Sequence, residues 1–158
     1  MEEVKTMTVK QYLNQVRLNE IKIENLKERQ EELYQSLLPS GIAYDKDKIQ
    51  VSPTDSMSDK MAEIVDLYNS TIDAINELER LKNTIIEQIQ NLTDYRQMRV
   101  LYEHYIRGAS LYDISTELNY TYKWVCKIHL FALQEFGKIN TLPEYVVIPE
   151  DTAEILDF

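Results

Sequence analysis

Between Arg99 and Leu133 the chain carries two stops set close together, Gly108 and Asn119, each followed shortly by a residue able to cap a new helix. Ser110 follows the first stop, and Asp113 three residues on completes a capping-box pattern. Thr121 follows the second, with Tyr120 before it positioned to staple onto Val125. The spacing predicts a helix that ends at Gly108 and a short helix from Ser110 to about Leu118, with Leu111, Ile114 and Leu118 on one face. A third helix then starts at Thr121. Asn119 falls where the turn demands a left-handed backbone, which Asn tolerates in place of Gly. Two helices joined by a turn of a few residues have the proportions of a helix-turn-helix.

On the third helix Val125, Ile128 and Ala132 share an inward face. Lys123, Lys127 and Gln134 point the opposite way, and Cys126, Leu130 and Phe131 lie on the flanks. A recognition helix lays such an outward face in the DNA major groove. Lys123 and Lys127 are thus candidate groove or phosphate contacts, supported by Tyr122, Trp124 and Gln134. Arg107 and Ser110, near a helix N-terminus, are candidates for holding the DNA backbone. A helical hairpin whose lysines are only solvated would show the same pattern.

Arg99-Val100-Leu101, Tyr105, Gly108, Ser110, Asp113-Ile114-Ser115, Leu118, Val125, Ile128 and Ala132-Leu133 resemble the DNA-binding segment of bacterial sigma factors that reads the −35 promoter element. The whole chain is more similar to the phage late-transcription regulators of the ArpU/RinA-like group, in which such a segment follows a helical N-terminal half. The opening run Met7–Leu13 and the run Ser58–Leu67 also look like that group. The resemblance spans about Thr8 to Gly137. It implies sequence-specific transcription regulation in a bacterial host cytoplasm, activation of phage late genes, and host RNA polymerase as a candidate partner. Two features depart from the pattern. Leu130-Phe131 stands where basic residues are usual, which weakens the expected phosphate grip and leaves apolar surface, and the acidic tail after Asn140 has no counterpart.

Charge distribution bears on that reading, because the net charge of −10 opposes DNA. Met1–Thr93 carries −6, Asp94–Lys138 carries +1, and Ile139–Phe158 carries −5. The helix-turn-helix segment is the least acidic part, so a monomer should bind modestly, and two copies on adjacent half-sites or a protein partner would supply the rest. The single Cys126 excludes a disulfide framework and a cysteine-based zinc site and fits a reducing cytoplasm. No apolar run approaches the roughly 20 residues that span a bilayer, and the N-terminus lacks a signal-peptide pattern. A soluble intracellular protein is expected.

Upstream, Thr8 caps a long helix reaching about Leu38. Its heptad positions are Val9, Tyr12, Val16, Asn19, Ile23, Leu26, Gln30, Leu33 and Leu37, all apolar but Asn19 and Gln30. Pro39-Ser40-Gly41 ends it, and residues from there to Met57 read as a linker, with a brief extended stretch conceivable around Tyr44, Ile49 and Val51. Ser58 is expected to cap a second long helix, with Met61, Ile64, Tyr68, Thr71, Ile75, Leu78, Lys82, Ile85, Ile89 and Leu92 on its seam and Val65, Ile72 and Ile86 widening it. A stripe that wide suits burial against more than one neighbour. The first helix of the DNA-binding unit should present Tyr95, Met98, Leu101, Tyr102, Tyr105 and Ile106 to the core. After Gly137, the β-prone run Glu144–Ile148 is placed to lie over Leu130-Phe131, and Glu150–Phe158 is an acidic-hydrophobic tail of the kind that binds partner proteins.

The expected architecture is all-α. Residues 1–93 form a long antiparallel, coiled-coil-like hairpin with a linker at about 39–57 and an oligomerising role, 94–138 a sigma-like helix-turn-helix, and 139–158 an acidic tail. Gly41, Gly108 and Gly137 are too scattered for a phosphate loop, and His104 and His129 lack companions at metal spacing. No enzyme, cofactor or metal is expected. The expected partner is double-stranded DNA, bound by a homodimer. Two other functions fit the pattern: a phage DNA-packaging small subunit, and an acidic helical adaptor that binds a host protein such as RNA polymerase.

Overall fold

The computed structural model describes residues 6–38 and 53–147 and is all-α. Helix α1 spans Val9–Leu37, α2 Pro53–Gln90, α3 Tyr95–Leu101, α4 Leu111–Leu118 and α5 Tyr122–Ile139. Two-residue strands, β1 (Met7–Thr8) and β2 (Val146–Val147), pair in parallel. The chain divides into two units: one joins the stretch up to Leu18 with everything from Glu79 onward, and the other is Asn19–Leu78. Among the described residues no helix is long and apolar enough to cross a membrane.

In the Asn19–Leu78 unit, α1 and α2 run antiparallel, with Arg29 Nη2 reaching Glu63 Oε1 across them at 3.7 Å. The seam buries Ile23 and Leu33 of α1 and Thr71 and Leu78 of α2. Thr71 is admitted because its hydroxyl donates to the Leu67 carbonyl at 2.7 Å, which removes the cost of an unpaired buried polar group. Among the described residues Gln30 has no such partner for its buried Nε2. One expectation is corrected here. Helix α2 begins at Pro53, so Ser58 lies inside the helix; proline suits a first helical position, where its missing N–H would have no intrahelical partner anyway. Met61, Val65, Tyr68 and Ile72 are exposed, because α1 covers only part of the wide apolar stripe.

In the other unit, Thr8 and Gln11 form a reciprocal capping box at the start of α1. The Thr8 N–H donates to Gln11 Oε1 at 2.8 Å and the Gln11 N–H to Thr8 Oγ1 at 3.2 Å. Val9, Tyr12, Leu13 and Val16 are buried, as are Ile85, Ile89 and Leu92 near the end of α2 and Phe136 on α5. The Tyr12 and Phe136 rings lie 6.4 Å apart, and the Tyr12 hydroxyl donates to Gln88 Oε1 at 3.0 Å. Asn140, at the end of α5, donates its side-chain N–H at 3.1 Å to the Gln88 carbonyl, which also accepts from the Asn91 N–H at 3.3 Å in the last turn of α2. Side chains of this size stabilise by about 1.5–3 kcal/mol each when buried, so this packing fixes α5 against α1 and α2.

The run around Val146 pairs with β1, Met7 donating its N–H to the Tyr145 carbonyl at 2.7 Å. It does not cover Phe131, which stays 54% exposed; the free backbone ahead of α1 offers hydrogen bonds that an apolar patch cannot. Tyr95 and Tyr102 are likewise exposed, while Val100, Leu101 and Tyr105 take the core positions of their helix. After α3 the chain widens into a π-helical turn, Tyr102–Ile106, which shifts the helical phase away from that of a continuous α-helix. The stretch around Tyr44, Ile49 and Val51 and the tail Glu150–Phe158 lie outside the described residues.

Candidate nucleic-acid interface

Helices α3, α4 and α5 are held by a small apolar cluster, Val100, Ile114, Val125 and Ile128, with Ala109, Leu111 and Leu118 packed at its edge. The turns between them follow from local chemistry. Gly108 has φ of +75°, a conformation costly for residues with a Cβ, although a Cβ there would meet nothing within 4 Å. The Ala109 N–H closes the π-turn by donating to the Glu103 carbonyl at 2.9 Å. Ser110 caps α4, its hydroxyl accepting from the Asp113 N–H at 3.0 Å and donating to Asp113 Oδ2 at 2.7 Å. Asn119 is left-handed at φ 55°, ψ 38°. Around it the Tyr120 N–H donates to the Ser115 carbonyl at 3.0 Å and the Asn119 N–H to the Thr116 carbonyl at 3.3 Å, a Schellman closure. Thr121 caps α5 through the Trp124 N–H at 3.2 Å.

With α5 so aimed, Val125, Ile128 and Ala132 face inward, at 5% exposure or less. Tyr122, Lys123, Trp124 and Lys127 are exposed on the opposite side, continued by Phe131. Gln134 is half-buried. From Asn119 to Gln134 the sequence holds no carboxylate, and among the described residues none pairs with Lys123 or Lys127. The face is therefore locally cationic on a strongly acidic chain, and its aromatic rings offer flat apolar surface beside the charges.

The remaining candidates are engaged within the protein. Arg107 is exposed but lies 3.7 Å from Glu103, and the Ser110 hydroxyl is committed to its cap. Two further features go beyond the sequence-based expectations. Tyr112, 66% exposed on α4, places its ring 6.4 Å from Tyr122, so an aromatic pair stands at the mouth of the turn. Its position, off the Leu111–Ile114–Leu118 face, was the available signal. Arg99 lies 3.8 Å from Glu103, four residues on, and donates to Glu117 at 2.9 Å, joining α3 to α4; nothing local in the sequence pairs Arg99 with Glu117.

Behind the face, the Tyr105 hydroxyl meets His129 Nε2 at 2.8 Å, and His104 Nδ1 lies 2.7 Å from the Ala109 carbonyl. A carbonyl only accepts, so that His104 nitrogen carries the proton. Burial, then the nearby His104 and Lys10, pushes the His129 imidazole down to about 3, and burial pushes the Tyr105 phenol up. Both groups are neutral near pH 7 and act as a polar pin in the core, with no part in the exposed face. Comparison with protein-family models, with curated proteins and with solved structures finds no match.

Proposed function

We propose that the chain is a sequence-specific DNA-binding transcription regulator, phage- or prophage-encoded and acting on late genes, as its resemblance to the ArpU/RinA-like group implies. The observation that carries the reading is the outer face of α5. Lys123 and Lys127 stand there without carboxylate neighbours, flanked by exposed Tyr122 and Trp124, on a helix held rigidly by two capped turns. In this reading the lysines meet phosphates or base edges, the tyrosines of the 112–122 pair and Trp124 pack against the sugar-phosphate wall, and Gln134 contributes from the edge. With only two unpaired lysines on the face, a single copy binds weakly, and two copies on adjacent half-sites supply useful affinity. The test is fluorescence anisotropy of the full chain on duplex fragments tiled across its genomic neighbourhood at two salt concentrations. Tight, salt-sensitive binding to one fragment supports the reading, and equal weak binding to every fragment contradicts sequence specificity.

A second reading, an acidic adaptor that binds a host protein such as RNA polymerase, is favoured by one observation. Phe131 continues the same face and is 54% exposed, where a phosphate-gripping helix would carry a cation. Absence of duplex binding even at low salt would favour it.

A further inference from the structure

The Asn19–Leu78 unit leaves a long apolar face open. On α2, Met57, Met61, Val65, Tyr68 and Ile72 follow one another at intervals of four, four, three and four residues, the spacing of a coiled-coil seam about 22 Å long. All are large and exposed, from 39% at Ile72 to 59% at Tyr68. They lie roughly a quarter-turn around the helix from Leu67, Thr71 and Leu78, which face α1. The Arg29–Glu63 ion pair marks one side of the antiparallel pair. Helical spacing puts the α2 seam on the other side, together with Tyr34 and Leu38 of α1, each about half exposed.

We propose that this face is where a second copy of the chain docks, the seams of the two α2 helices packing against each other around a two-fold axis. Three observations choose that occupant. First, half-open side chains of this size amount to on the order of 700 Å² per chain, above what a typical monomer exposes in one patch and, doubled, within the range of a specific protein–protein interface. Second, identical heptad-spaced seams match one another, as a two-fold interface requires. Third, the outer rim of the seam is Ala62, Asn69 and Asn76, while Asp59, Glu63, Asp66 and Asp73 lie further around α2. The α2 seams of two chains, each of net charge −10, can therefore meet along that rim without bringing α2 carboxylates together, while on the α1 side Lys27 stands beside Glu24 and Glu31. A basic partner would instead be drawn to the acidic side.

Docking of a second copy here deepens the two-copy element of the DNA reading and takes its purpose from it, but the test contains no DNA, so either can fail while the other stands. Sedimentation of the full chain at tens of micromolar is expected to give twice the 18.7 kDa chain mass. The double variant Val65→Glu/Tyr68→Glu should weaken dimerisation by at least about 100-fold and sediment as a single chain, with helicity unchanged by circular dichroism because both side chains are more than half exposed. If that variant loses helix, Val65→Gln/Tyr68→Gln carries the same readout. A wild-type monomer, whether another protein or the chain's own remaining residues cover the face, overturns the proposal. So does a folded variant that stays dimeric.

Discussion

The Tyr105 hydroxyl and His129 Nε2 meet at 2.8 Å in the interior, tying the π-helical turn to α5 directly behind the exposed lysine face. Both residues are at most 5% exposed, so neither polar group has water to fall back on. Tyr105→Phe removes the partner of a buried imidazole nitrogen and should cost about 1–3 kcal/mol. Chemical denaturation measures it, and a loss well below that range would mean that water replaces the hydroxyl.

The same contact predicts an acid response. The folded value of His129, about 3, lies below the ordinary 6.5, so the unfolded chain takes up the proton first as the pH falls. The contribution is intact above pH 6.5 and is lost progressively as pH drops from there toward 3, at up to about 1.4 kcal/mol per pH unit. Between pH 7.5 and 5.5, where carboxylates change little, wild type should lose on the order of 1 kcal/mol more than His129→Gln. Equal losses in the two proteins would mean that folding does not lower the His129 pKa.

The two turns make opposite demands on substitution. Gly108→Ala meets no steric obstacle, so its cost is that of the left-handed backbone, about 1–2 kcal/mol. Asn119→Gly should be close to neutral, whereas Asn119→Val, β-branched at φ 55°, should exceed the cost of Gly108→Ala. Denaturation midpoints give the ranking, and a tolerated Asn119→Val would show that the Schellman closure around it is dispensable.

The caps set the bounds of the helices they precede. Ser110→Ala and Thr121→Ala should each cost about 1 kcal/mol. Because the Ser110 hydroxyl is already spent on Asp113, its loss should appear as reduced stability, with DNA affinity corrected for folding left unchanged. A selective loss of affinity in Ser110→Ala would return that hydroxyl to the interface.

What the chain's letters reveal divides along the range of the forces involved. Caps at Ser110 and Thr121, the left-handed Asn119 and the inward trio Val125, Ile128 and Ala132 depend on neighbours within a turn of helix, and they read directly. Tyr95 and Tyr102 misled because a single 3.6-residue phase was carried across a stretch that the structure widens into a π-turn. Ser58 misled because Pro53 reads as a breaker but serves as a first helical residue. The seam of Met61, Val65, Tyr68 and Ile72 was visible as apolar periodicity, yet periodicity does not say how many neighbours a helix has. Arg99–Glu117 and Tyr112–Tyr122 join different helices and have no local signature.

The outer face of α5 is tested most directly by charge reversal. Lys123 and Lys127 are exposed and unpaired among the described residues, so Lys123→Glu/Lys127→Glu should leave the denaturation midpoint nearly unchanged. In anisotropy titrations on the best-bound genomic fragment at low salt, wild type should bind and the double variant should lose affinity by at least about 100-fold, with a salt dependence lowered by roughly two phosphate contacts. Equal affinity of the two proteins would contradict the assignment of this face to DNA.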